Sequence, residues 1–292
     1  TLTAIASIII MILGPVFTRP ILKFLNTPDS IIDWCQNYLT IYFVGIAGFS
    51  YFNILSGILR GLGDSISALI FLLISTSLNV VMDIMLITKF NMGAEGVALA
   101  TVLAQGISAI LCLIKLIDMK DVFDFNIHML KPIKEYAVKL IKLGLPSGLT
   151  HAIFSFAMIA VQSLINSFGE TIIACNVIVM RVDGFVMMPN FTFGNAMTTF
   201  VGQNIGAKKM DRVEKGVQDG TKMAVGFSTV LTIIILVFGK YLMYLFTDTV
   251  ELVELSIHMM RILAPGYIAM AITQSLSGVM RGAGDTITPM WI

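Results

Sequence analysis

Charged residues are what this chain has least of. Its 19 Lys+Arg and 18 Asp+Glu make up 13% of 292 residues, where soluble chains carry about 25%. With 57% hydrophobic residues and a mean hydropathy of +0.88, that scarcity excludes an ordinary soluble domain. A net charge of +1 leaves no basic excess for nucleic acid, so none is expected as a partner. Cysteine is scarce too. Cys35, Cys112 and Cys175 are scattered and odd in number, which argues against a disulfide framework or a metal site. No signal-peptide pattern is read at Thr1, which already falls inside an apolar run. The numbered residues are therefore expected to be a fragment.

What the chain has in excess is uninterrupted apolar length. A helix needs roughly 20 apolar residues to cross a bilayer, and lipid leaves backbone groups no partner outside the helix. Eight spans are expected, at about 2–17, 34–59, 66–88, 97–116, 146–168, 171–201, 225–246 and 256–280. Pro15 is expected to interrupt the first, and Arg19 and Pro20 to finish it. Pro146 suits a first helical turn, and Pro189 and Pro265 are expected to kink their spans. Residues 119–143 differ in character: Lys120, Lys131, Lys134, Lys139 and Lys142 alternate with apolar residues, the pattern of a basic helix in the headgroup region. The expected organisation is an N-terminal bundle over 1–118, this amphipathic linker, and a C-terminal bundle over 144–292, with four spans in each bundle.

One stretch occurs twice. Residues 56–67 read SGILRGLGDSIS and residues 277–288 read SGVMRGAGDTIT, each at the end of one apolar run and the start of another. Arg60 and Arg281 fall in a last helical turn, where a cation meets the negative end of the helix dipole. Gly61 with Gly63, and Gly282 with Gly284, are placed to take the left-handed conformation that closes a helix. Asp64 and Asp285 are placed to cap the next helix. A shift of 221 residues also pairs Ile32 with Val253, Gly45 with Gly266 and Gly57 with Gly278, so the chain holds two copies of one unit. With eight crossings, thirteen Lys and Arg collect on the signature side and five on the other. The crowded side, with both chain ends, is expected to be cytoplasmic.

Charged side chains within spans cost roughly 2.5 to 3.5 kcal/mol on insertion scales and usually face a cavity or a partner. Span six holds Arg181 and Asp183, and span three holds Asn79 and Asp83, four apart and so on one face. Asp211 and Glu214 have the spacing of a helix cap and its third-position carboxylate. His151 lies early in span five. Nineteen methionines and nineteen phenylalanines suit an adaptable cavity, although lipid-facing filler explains most of them.

These features together resemble the multidrug and toxic compound extrusion (MATE) family. The resemblance rests on R-G-x-G-D-[ST] at Arg60–Ser65 and Arg281–Thr286, N-x-x-x-D at Asn79 and Asp83, G-L-P at Gly144–Pro146, and G-Q-N-x-G-A at Gly202–Ala207. It implies an all-α polytopic membrane protein of two pseudo-symmetric bundles, of which this chain supplies family helices three to ten. It further implies a plasma-membrane antiporter, expected as a monomer, that exports amphiphilic and often cationic organic molecules in exchange for Na⁺ or H⁺, with no covalent cofactor and no enzymatic activity. Some relatives carry a glutamate on the seventh helix, where this chain has Phe154. Asp183, Arg181, His151, Asn176, Gln162, Asn190 and Gln274 are the candidates for substrate or ion contact. Arg60, Asp64, Asn79, Asp83, Pro189, Gln203, Asn204, Arg281 and Asp285 are the structural or gating candidates. A flippase for lipid-linked precursors or polysaccharides is the alternative. It calls for several basic residues in the spans, and the expected spans hold Arg181. An intramembrane enzyme is a third reading, with His151 and Asp183 as its only pair.

Overall fold

The duplicated turns show how the chain reverses at a membrane surface. A computed structural model describes residues 1–25, 27–119 and 133–291. In it α3 (Ile46–Gly61) passes to α4 (Ser65–Thr88) through Leu62, Gly63 and Asp64. Gly63 takes φ +95° and Gly284 φ +90°, a conformation that costs glycine little. Gly61 and Gly282 do not share that role: they are the last residues of α3 and of α9 (Val250–Gly282). The Asp64 N–H returns to the Leu59 carbonyl and the Asp285 N–H to the Met280 carbonyl, both at 2.9 Å, closing each helix in the same way. Asp64 Oδ1 then accepts the Ser67 N–H at 2.9 Å as the cap of α4. Asp285 Oδ1 accepts the Ile287 and Thr288 N–H groups at 3.1 and 3.0 Å. The Ser67 N–H holds the Asp64 carboxyl below the usual carboxylate range, and the Thr288 hydroxyl, followed by its N–H, does the same for Asp285.

The remaining helices are α1 (Leu2–Phe24), α2 (Asp29–Val44), α5 (Ala94–Asp118), α6 (Lys134–Asn166), α7 (Glu170–Gly206), α8 (Met210–Tyr244) and the short α10 (Thr288–Trp291). Seven helices are each long and apolar enough to cross a bilayer, and the bent pair α2 and α3 makes an eighth. Their boundaries correct the sequence reading at four places. Helix α1 runs unbroken through Pro15 and Pro20. Helix α6 starts at Lys134, so Pro146 is interior, and Lys134–Leu143 form its first turns instead of a separate linker segment. Residues 120–132 of the expected linker lie outside the described residues. Helix α8 takes in the basic stretch after Lys209, its N-cap; Asp211 and Glu214 therefore do not cap it. The second expected span bends by 47° at Gly45, with no proline there. Helices α7 and α9 continue through Pro189 and Pro265.

The chain divides into two units, Thr1–Ala137 and Val138–Ile292. In the first, α5 presents small buried residues every four positions, Gly96, Ala100, Ala104, Ser108 and Cys112, so neighbouring helices approach its backbone closely. Phe52, Leu59 and Ala68 close over Ala109, Cys112 and Leu116. In the second, α8 buries Ala224, Ser228, Thr232, Ile235, Gly239 and Met243, one stripe at helical spacing. That stripe joins Val179, Val182 and Val186 of α7 and Val253, Met260 and Tyr267 of α9 in one core. Outside the cores the surface is apolar. Ile66, Phe156 and Phe185 are each 72% exposed, a surface water disfavours and a bilayer accepts.

Candidate functional site

Tyr267 of α9 ties the second unit together. The phenol is 1% exposed, and its hydroxyl donates to Asp183 Oδ1 on α7. Its backbone carbonyl accepts from Asn190 Nδ2 of α7 at 3.2 Å and from Ser228 Oγ of α8 at 3.1 Å. Three helices thus meet at one residue two positions after Pro265. The seam between α7 and α9 is as tight as backbones allow. A Cβ on Gly278 would stand 2.2 Å from the Gly194 carbonyl oxygen, and one on Gly282 would stand 2.6 Å from that of Thr198. The Thr198 hydroxyl donates across the seam to the Gly278 carbonyl at 3.0 Å.

The first unit carries a different polar cluster. Asn79 Nδ2 of α4 donates to Thr101 Oγ1 of α5 at 3.3 Å, and that hydroxyl donates on to the Val97 carbonyl at 3.0 Å. Asp83 lies one turn further along α4. Its Oδ1 is buried and has no hydrogen-bond partner among the described residues. An unsatisfied carboxylate oxygen inside a spanning helix is a costly thing to retain, and it is the strongest local invitation to a cation in this unit.

The other expected residues fall into three groups. Arg181 and His151 are exposed on α7 and α6, so Arg181 does not join Asp183 at Tyr267. Gln162 Nε2 donates to Asn166 Oδ1 at 2.8 Å and Gln162 Oε1 accepts from Asn176 at 3.5 Å, linking α6 to α7. Gln274 is half-buried, with its carbonyl against Gly194. Arg60 Nη1 donates to Ser56 Oγ at 2.8 Å within its own helix. Asn204 donates to the Phe200 carbonyl at 2.8 Å. Pro189 borders an open apolar groove with Phe193 and Phe227. Gln203 sits on the same last turns of α7. The sequence reading missed Tyr267, Thr101 and Ser228. Each is a small or aromatic residue inside an apolar run whose partner lies 22 to 84 positions away. Among the described residues no cluster of His, Cys, Asp or Glu has the shape of a metal site.

Two copies of one helical unit, long apolar spans and a few polar groups held inside them define a polytopic α-helical membrane protein built on an internal repeat. The chain belongs to the MATE family: the MatE family model matches residues 1–85 and 146–292. Among similar proteins is the "Probable multidrug resistance protein YpnP" of Bacillus subtilis, 33% identical over 264 residues, which are 90% of this chain and 59% of that protein. Another is the "Multidrug export protein MepA" of Staphylococcus aureus, 24% identical over 97% of this chain and 62% of that protein. The chain thus spans about three fifths of the length of these relatives. A crystal structure of a MATE protein in a bent conformation superposes with a TM-score of 0.91 at 22% identity, over 99% of this chain and 64% of that one. An outward-facing multidrug resistance MATE transporter superposes at 0.92 with 22% identity, over 99% of this chain and 65% of that one. These two likenesses bear on the fold.

Proposed function

We propose that this protein takes part in exporting amphiphilic organic compounds, cationic ones among them, in exchange for Na⁺ or H⁺. The export half of the reading draws on the relatives, whose names speak of multidrug resistance and multidrug export. The coupling half is carried by one observation: Asp83 Oδ1, buried and unpartnered beside the Asn79–Thr101 pair. A carboxylate there attracts a proton or a small hard cation, which prefers oxygen ligands of the kind that the Asn79 amide and the Thr101 hydroxyl carry. Occupancy would then bias the protein between two conformations, which is the physical content of ion-driven alternating access. Asp183, held by Tyr267, is the acidic group with which the second unit would meet a cationic substrate. Asn176, which donates to Gln162 at 3.5 Å, lies two turns before Asp183 on α7 and would supply a further polar contact. The excess of basic residues on the signature side supports a cytoplasmic location for that side.

Ethidium transport by the protein in proteoliposomes tests this reading. An inward gradient of one cation, Na⁺ or H⁺, is expected to accelerate ethidium extrusion several-fold, and ethidium in turn to drive flux of that cation. Extrusion that ignores both gradients would contradict coupling. No ethidium movement under any gradient would contradict export.

A further inference from the structure

The two copies of the repeat stand in two different shapes. The 221-residue shift pairs Ser7 with Ser228, Leu22 with Met243, Ile32 with Val253 and Ile46 with Tyr267. All of these except Ile46 are buried, so the shift holds in space as well as in sequence. In the second copy Ser228 Oγ donates to the Tyr267 carbonyl at 3.1 Å, and α9 runs without a break from Val250 to Gly282. In the first copy the counterpart of that helix breaks by 47° at Gly45. The Gly48 N–H folds back onto the Gly45 carbonyl at 3.1 Å. Ser7 Oγ, 2% exposed by residue, is left with no partner among the described residues, which is unfavourable for a hydroxyl out of water.

The bent shape has its own compensation. At the break the chain presses onto α5: a Cβ on Gly45 would lie 2.2 Å from Val102 Cγ1, and one on Gly48 would lie 3.0 Å from the Gly106 nitrogen. We infer that the α2–α3 joint is a two-state hinge with Ser7 as its second catch. In the bent state Gly45 and Gly48 seat against Val102 and Gly106. In the straight state the helix takes the form of α9, and Ser7 Oγ donates to the Ile46 carbonyl as Ser228 does to that of Tyr267. One set of contacts is exchanged for the other, which makes the element bistable and not merely flexible. Val102 follows Thr101, the residue that binds Asn79, so the hinge closes on the turn of α5 that carries the polar cluster. The inference does not depend on the identity of the cargo.

Electron–electron distance measurement on the purified protein in lipid nanodiscs tests it. Spin labels go on Ile31→Cys of α2 and Ile58→Cys of α3, which are 39% and 37% exposed, in a Cys35→Ala background. Straightening a 47° bend lengthens this vector by roughly 3 Å at 1.5 Å rise per residue. Two distance populations are expected. Ser7→Ala should shift the ratio toward the shorter distance by about threefold or more, and Ser7→Thr, which keeps the hydroxyl, should restore it. Gly45→Ala, whose methyl group collides with Val102, should shift the ratio toward the longer distance. A wild-type ratio in Ser7→Ala, or a single unchanging distance in all these variants, overturns the hinge.

Discussion

Asp83→Asn is expected to lower cation-driven efflux by about tenfold or more while leaving ethidium affinity within about threefold of wild type. The amide preserves the size and shape of the side chain and its place one turn beyond Asn79. What it removes is the single group in the Asn79–Thr101–Asp83 cluster able to carry a negative charge. Because Asp83 Oδ1 has no hydrogen-bond partner among the described residues, no existing bond is lost, so folding should be unaffected. Thr101→Val, which keeps the charge and deletes the hydroxyl that accepts from Asn79, should give a smaller loss of about 1 kcal/mol or less in apparent cation affinity, the size of a hydrogen bond between membrane helices. The check is initial efflux rate against gradient size, with ethidium binding followed by fluorescence in the same preparation. Equal coupled rates in Asp83→Asn and wild type would remove Asp83 from the mechanism.

The second large effect is structural. Gly278→Ala should destabilise the second unit by about 3 kcal/mol or more, the upper end for overpacked sites. The added methyl would lie 2.2 Å from the Gly194 carbonyl oxygen, 2.9 Å from its carbon and 3.0 Å from its Cα. All three are backbone atoms, which cannot swing aside as a flexible side chain would. Helices α7 and α9 must therefore part, and the Thr198–Gly278, Asn190–Tyr267 and Asp183–Tyr267 bonds lie along that same seam. Loss of a monodisperse gel-filtration peak and a lowered denaturation midpoint are the expected readouts. Gly226→Ala is the control, because a Cβ there meets nothing within 4 Å. It should leave the midpoint unchanged or raise it slightly, by up to about 1 kcal/mol of helix propensity.

Much of the fold was legible because lipid simplifies the code. Apolar length marks the spans, and the repeated Arg–Gly–Gly–Asp turns mark where they reverse; both turns form with Asp64 and Asp285 as acceptors. Proline misled the reading. Pro15, Pro20 and Pro146 all lie within continuous helices, while the one break among the expected spans comes at Gly45, in a run without proline. Inside a bundle the neighbours decide where a helix bends, and Val102 of α5 is 57 residues from Gly45. The candidate site was legible only in part. Asp83 and Asp183 declare themselves by charge in an apolar run, but their surroundings do not. Tyr267 looks like one more aromatic, and its 84-residue separation from Asp183 has no signature in either segment. Ser7 was hidden in the same way, although the 221-residue shift that pairs it with Ser228 was available from the sequence.

The duplicated signature leads to the expectation that both copies of it meet the same side of the membrane, and cysteine accessibility tests this most directly. In a Cys35→Ala background, Leu62→Cys and Ile287→Cys, introduced separately, each place one accessible thiol in a signature turn, at positions 37% and 58% exposed, while Cys112 and Cys175 are buried. A membrane-impermeant maleimide is expected to leave both unlabelled in intact cells and to label both in inside-out vesicles. Labelling of one from each face of the membrane would contradict the parallel repeat, and with it the transporter architecture and the hinge comparison drawn from it.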